Sequence, residues 1–245
     1  MDTEARMDTD TQAFLSLFFS IEGILRRLAG GREEGFARLV ARARDHNAVV
    51  RRFEQELRAF NELRNMLVHA PLTIPVARPS PEAVRALQRI YDHLTHPQLV
   101  LPRFARQVVS LTDDQPFADA IEAMHKTGYS QFPIYRGAAF QGLLTDGLMA
   151  RWIAARLDHD FARLLEVPLK DVLHQVPERS TVAFVSRRAT VAEVREMFES
   201  HLRQGRLRLD AVLITETGDP DQPPLGIVTP TDAIAIVAED AVPPS

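Results

Sequence analysis

The sequence predicts an α+β chain: an all-helical segment over residues 1–97, then two β-α-β-β-α units over residues 98–245. Three observations predict it. The string Gly142-Leu143-Leu144-Thr145-Asp146-Gly147-Leu148 returns as Gly226-Ile227-Val228-Thr229-Pro230-Thr231-Asp232, an internal repeat that constrains the fold more than propensity does. Upstream of each copy lies a matching stretch, Phe117-Ala118-Asp119-Ala120 through Met124 and Val191-Ala192-Glu193-Val194 through Phe198. Before His96-Pro97 apolar residues recur at threes and fours, whereas after it they cluster in short strand-length runs.

Taken in order, residues 11–29 form an amphipathic helix, because Phe14, Leu17, Phe18, Ile21, Ile24, Leu25 and Leu28 share one face. Gly30-Gly31 ends it. Glu33 to His69 has helical periodicity without a proline and reads as two helices broken around Asp45–Asn47. Pro71, Pro75 and Pro79 punctuate a loop; Ser80 then caps a helix with Pro81 at its first position, running to about Thr95. In the first β-α-β-β-α unit, residues 98–160, Val108–Leu111 reads as a strand and Pro116–Thr127 as a helix. Phe132–Tyr135 and Gln141–Leu144 are strands around a turn at Arg136-Gly137, and Asp146–Leu157 is a helix. The second unit, residues 165–240, repeats this order from Val182, with about ten extra residues at Thr217–Pro224. Glu239 to Ser245 reads as a frayed tail.

Composition bounds the function. Hydrophobic residues make up 45% and charged residues 25%, as in ordinary soluble globular proteins. The formal net charge of −4 gives no global field toward nucleic acid or membrane, so any RNA contact must be local. The helical segment carries a small positive balance and the remainder a negative one, which makes the former the better side for a polyanion. The absence of cysteine excludes disulfides, thiolate metal sites and cysteine nucleophiles. The acidic start resembles no secretory signal, and the apolar run Phe14–Leu28 is too short and too charged to span a bilayer. A cytoplasmic location away from membranes is expected.

The repeated string differs in chemistry at one place. Thr229 fits a helix N-cap, Pro230 the first helical position and Asp232 the third, a version of the capping box. Capping alone accounts for these residues; alternatively the same unpaired N–H groups, with Thr231 among them, hold a phosphate. In the first copy Thr145 still caps and is a candidate ligand contact, but Leu148 cannot accept from a diol and Asp146 sits where it repels a phosphate. The inequality points to one occupied site near Thr229 and Asp232. These paired units resemble a tandem pair of CBS domains (a Bateman module). The resemblance rests on the strand before Pro116 or Thr190, the following helix, the Phe132-Pro133-Ile134 strand and the Gly-φ-φ-Thr turn. It implies an intramolecular pseudo-dimer whose clefts take an adenosine-containing effector (AMP, ADP, ATP or a related nucleotide), with Asp232 accepting both ribose hydroxyls. It also implies a homodimer, and no cofactor or metal is required.

Arg64-Asn65-Met66-Leu67-Val68-His69 ends a predicted helix just before Pro71. At 100° per residue Arg58, Asn61, Glu62, Asn65 and His69 share one face, opposite Phe60, Leu63, Leu67 and Ala70. Arg64 lies about 140° around the helix from His69, so the two do not converge on one phosphate from a single straight helix. The string resembles the signature of HEPN domains, helical bundles that include metal-independent ribonucleases. The resemblance implies a composite site across a two-fold dimer and an endoribonuclease activity. His69 would act as acid or base on a ribose 2′-hydroxyl, Arg64 would stabilise the phosphate and Asn65 would orient His69. One HEPN subgroup has Tyr two residues after the His, where this chain has Pro71. The alternative is a helix end that only caps and pairs charges near Glu62, in a non-enzymatic, nucleotide-responsive scaffold for dimerisation or protein interaction. His93 and His96 lack a third ligand nearby, and Asp113-Asp114 and Asp158-His159-Asp160 read as solvated loop charges.

Overall fold

The computed structural model describes residues 2–31, 33–69, 77–157, 160–175, 181–203 and 209–241. The chain divides into two compact units, Met1–Gln98 and Leu99–Ser245.

The first unit contains α1 (Asp2–Leu28), α2 (Phe36–Ala43), α3 (Ala48–Arg52), α4 (Glu54–His69) and α5 (Pro81–Thr95). Its core joins Phe14, Phe18, Ile21 and Leu25 of α1 to Phe36, Leu39 and Val40 of α2, Leu57 of α4, and Leu87 and Ile90 of α5. Ser80 caps α5 by accepting from the Ala83 N–H at 3.2 Å, with Pro81 first in the helix. The stretch after Glu33 has one more break than its periodicity predicts. Asn47 caps α3 through the Val50 N–H, and Phe53 then leaves helical geometry at φ −99°, ψ 19°. Its ring stacks on His93, with centroids 5.7 Å apart, a tertiary contact that local periodicity does not reveal.

The second unit runs α6 (Val100–Arg103), β1 (Leu111–Thr112), α7 (Phe117–Thr127), β2 (Gln131–Arg136), β3 (Ala139–Thr145), α8 (Asp146–Ala154), α9 (Phe161–Leu165) and α10 (Leu169–Gln175). It continues with β4 (Thr181–Ser186), α11 (Val191–Arg203), β5 (Leu209–Thr215), β6 (Gly226–Val228) and α12 (Pro230–Ala241). Two three-stranded sheets result, ordered β1-β2-β3 and β4-β5-β6. In each the first pair is parallel and the second antiparallel. The sheets meet through Leu143, Ala211, Leu213 and Ile227, with Val108, Phe140 and Phe184 against them.

Each half borrows part of its core from the segment that precedes the other. Val100 and Phe104, ahead of the first sheet, pack with Val185, Val194, Phe198 and Ile214 of the second half. The Val100 N–H donates to the Ala189 carbonyl at 2.9 Å, and Ala105 bridges Gly226. Reciprocally, Leu169 and Val172 of α10, ahead of the second sheet, pack with Phe117, Phe132 and Trp152 of the first half. There the Phe117 N–H donates to the Val167 carbonyl at 2.8 Å. Leu169 and Val172 are fully buried, worth about 2 kcal/mol each.

Several boundaries differ from those predicted. The strand predicted over Val108–Leu111 is reduced to Leu111–Thr112, because Val108 packs between the sheets while Val109 joins the first core. The helix predicted to Leu157 ends at Ala154, and α6, α9 and α10 answer to partners distant in sequence. Helix α12 extends to Ala241, past the predicted tail start at Glu239; residues 242–245 lie outside the described residues. The loop between β5 and β6 folds on itself, Gln222 Oε1 accepting from the Thr217 N–H at 2.9 Å. It reaches the first half, where Asp221 Oδ1 accepts from the Phe140 N–H at 3.0 Å. Burial and Asp221 raise the Tyr135 phenol above its ordinary pKa.

A Cβ added at Gly226 would enter the van der Waals shell of the Phe104 carbonyl, whereas one at Gly147 meets only the end of Arg151 at 3.7 Å. Gly226→Ala is therefore expected to destabilise by about 3 kcal/mol, the upper end of overpacking costs. Gly147→Ala should leave the urea midpoint unchanged or slightly raised.

Candidate functional site

The predicted ligand residues gather where β6 feeds α12. Pro230 opens that helix, and Thr229 and Asp232 close a reciprocal capping box. Asp232 Oδ2 accepts from the Thr229 N–H and hydroxyl, both at 2.8 Å, while the Asp232 N–H donates to Thr229 Oγ1 at 3.4 Å. A third donor arrives from a residue that the sequence reading missed. Arg106 donates through Nη2 to Asp232 Oδ2 at 2.5 Å, and through Nε and Nη2 to the Ile227 carbonyl at 2.9 and 2.6 Å. No spacing rule could pair residues 126 positions apart. Oδ1 of Asp232 carries none of these bonds, and Thr231 is exposed.

Beside this constellation lies a cleft of about 150 Å³, walled by Arg106–Val109 and Gly128–Gln131 from the first half and by Ile227 and Thr229 from the second. Gln131 donates from Nε2 to the Asp210 carbonyl at 2.9 Å, while its Oε1 is buried without a hydrogen-bond partner. The counterpart in the first copy is plain. Thr145 Oγ1 caps α8 by accepting from the Leu148 N–H at 3.1 Å, and Leu148 is buried in the core. Asp146 accepts from the Gly147 N–H at 2.7 Å.

In the helical unit, Phe60, Leu63 and Leu67 pack on the core, and Arg58, Glu62 and Asn65 are exposed. Arg64 turns toward α1. Its guanidinium carbon lies 5.4 Å from the Phe19 ring centroid and 6.0 Å from that of Phe18, and Nη1 donates to Asn65 Oδ1 at 3.1 Å. Arg64, Asn65, Asn61 and Arg38 line a groove of about 560 Å³ over Phe18 and Phe36. Arg38, supplied by α2, was not singled out in the sequence. His69 is the last residue of α4, but its side chain, like Ala70 and Pro71, lies outside the described residues.

The expectation that Asp113 is a solvated charge is corrected. It is 6% exposed and accepts from Arg136 Nε and Nη2 at 2.7 and 2.6 Å. The parallel pairing of β1 with β2 places the end of one strand beside the end of the other, a register that sequence alone does not give. Asp114 is exposed and accepts from the Thr112 hydroxyl, which with its own backbone holds its pKa below the ordinary value. Asp160 caps α9, and Asp158 and His159 lie outside the described residues. Among the described residues no group of three His, Asp or Glu could hold a metal ion, and no helix is long and apolar enough to cross a membrane.

Residues 104–155 match the family model of the CBS domain, so the chain carries a CBS domain after its helical region. A search of curated proteins finds no match. Among solved structures, the CBS domain of a CBS domain containing membrane protein from Sphaerobacter thermophilus is similar at 16% identity and a TM-score of 0.47, covering 63% of this chain and 97% of that one. A CBS-domain containing protein from Agrobacterium tumefaciens is similar at 17% identity and a TM-score of 0.41, covering 56% and 89%. A CBS domain-containing protein of unknown function from Kribbella flavida is similar at 18% identity and a TM-score of 0.42, covering 56% and 95%.

Both threonines accept from the N–H three residues on, Thr145 from Leu148 at 3.1 Å and Thr229 from Asp232 at 3.4 Å. Thr145→Ala and Thr229→Ala are each expected to lower unfolding free energy by about 1 kcal/mol, read from urea melts followed by circular dichroism.

Proposed function

We propose that the Leu99–Ser245 unit is a regulatory pair of CBS repeats that binds an adenosine-containing nucleotide (AMP, ADP, ATP or a related one) beside Thr229 and Asp232. The observation that carries this reading is the inequality of the two repeats. The second places a carboxylate and a capped helix start beside a cleft, whereas the first buries a leucine at the matching position. Asp232 serves as ribose acceptor, and the first turn of α12 with Thr229 and Pro230 faces the ligand. The cleft, at about 150 Å³, is below the roughly 300–1,000 Å³ usual for small-molecule sites. Because its walls come from both repeats, a ligand there that contacts them differently in two arrangements favours one packing of the module over another, which is the condition for a regulatory response.

In the same proposal the module acts as a homodimer and controls the HEPN-like helical unit, whose substrate is RNA. His69 moves the 2′-hydroxyl proton, Arg64 stabilises the phosphate, and Asn65 orients His69. The groove shared by Arg64, Asn65, Asn61 and Arg38 supports an anionic ligand there. A second reading is favoured by the seating of Arg64 against Phe18 and Phe19 and its bond to Asn65: the helical unit is then a nucleotide-responsive scaffold without catalysis.

Calorimetric titration of AMP, ADP and ATP should show binding that weakens at least about tenfold in Asp232→Ala, the worth of one charge-assisted hydrogen bond; unchanged affinity removes the ribose assignment. Incubation with single-stranded and structured RNA in EDTA should give cleavage that His69→Ala abolishes. No cleavage with or without nucleotide leaves the scaffold reading in its place.

A further inference from the structure

We propose that Gln131 sets the base specificity of the cleft: its side-chain carbonyl, held so that it cannot turn round, selects a base with an exocyclic amine over one with a carbonyl in that place. The inference rests on the cleft being the nucleotide site, with the ribose at Asp232, and adds which base edge the site reads. Gln131 lies in the wall that the first repeat contributes. Its Nε2 donates to the Asp210 carbonyl of β5 at 2.9 Å, and its Oε1 is buried without a hydrogen-bond partner. Buried acceptors are nearly always bonded, so an orphan in a cleft wall marks where a donor of the ligand belongs.

The surroundings of Gln131 suit a base. Val108, Val109 and Ile227 give apolar surface, and Tyr129, 43% exposed, adds an aromatic ring. Apolar walls with a few fixed polar groups are what orient a flat heterocycle. A glutamine amide ordinarily reads either kind of edge, because turning it over exchanges its carbonyl for its amine. Here that turn would set Oε1 against the Asp210 carbonyl, two acceptors with no proton between them. Gln131 is therefore held as an acceptor. The amine of adenine donates to it, whereas the carbonyl of hypoxanthine meets it as a second acceptor. Hypoxanthine has a ring N–H one position away, but sliding the base to use it would draw the ribose off Asp232. A site built on a fixed polar partner rejects the analogue that lacks the matching group.

AMP and IMP differ only at this edge of the base, so the ratio of their affinities reads the contact. Both are titrated calorimetrically into the full chain as wild type, Gln131→Met, Gln131→Glu and Asp232→Ala, with circular dichroism as the check on folding. Wild type should bind AMP at least about tenfold more tightly than IMP, the worth of one hydrogen bond to a buried acceptor. Gln131→Met, of similar length but without the amide, should lose that ratio through weaker binding of AMP while IMP changes little. Gln131→Glu keeps an acceptor and should still prefer AMP. Asp232→Ala should weaken both and keep the ratio, because the two ligands share one ribose. A purely structural role for Gln131 would weaken both ligands alike in Gln131→Met. That unaltered ratio, equal binding by wild type, or a preference for IMP in wild type or Gln131→Glu overturns the inference while AMP binding leaves the nucleotide site standing. Failure of wild type to bind AMP, ADP, ATP or IMP overturns the site and the inference together.

Discussion

The second unit depends on an exchange of core segments. Neither sheet completes its own interior: Val100 and Phe104 fill the second half, and Leu169 and Val172 fill the first. The exchange is held by main-chain bonds at both places, Val100 to Ala189 and Phe117 to Val167. Gly226 is where its tolerance is least, because the Phe104 carbonyl lies against its α-carbon. Splitting the unit between its halves would remove two fully buried aliphatic side chains from one core and two aromatic or aliphatic ones from the other. The unit therefore folds as one body, although its sequence is written as two copies. The exchange also sets the cleft, since Arg106 follows directly on the segment that crosses Gly226.

At that cleft one carboxylate carries two demands. As a capping residue Asp232 satisfies the Thr229 N–H, and as the partner of Arg106 it neutralises a cation drawn from the other half. The first copy shows what capping alone requires. Thr145 and a buried Leu148 suffice to start α8. The carboxylate at 232 exceeds the needs of the helix, and this surplus, more than the cap, motivates a ligand there.

How much was legible follows from the range of each interaction. Ser80-Pro81 marked the start of α5, and Thr145 and Thr229 marked the starts of α8 and α12, because caps act over three residues and the chain states them locally. The order of strands and helices could be read because it is written twice. What escaped the sequence was long-range. Arg106 meets Asp232 across 126 positions and Arg136 meets Asp113 across 23, with no spacing rule linking either pair. Phe53 breaks the helical run at the place where its ring meets His93 of another helix. Helices α9 and α10 are five and seven residues long, too short to show a period, and their apolar residues answer to the opposite half. In the helical unit the sequence placed Arg64 and Asn65 on one turn, but the direction of Arg64 toward Phe18 and Phe19 depends on how α1 packs.

The loop between β5 and β6 bears on how such a unit meets other chains. Strand β3 is the last in its sheet, and an outermost strand offers its outward N–H groups to any extended segment that arrives. Asp221 takes the one at Phe140. A carboxylate on that donor blocks the register a visiting strand would need and sets a negative charge against its carbonyls. The ten-residue extension thus acts as an edge guard: it disfavours sheet-to-sheet growth from β3 and leaves association to surfaces other than that strand.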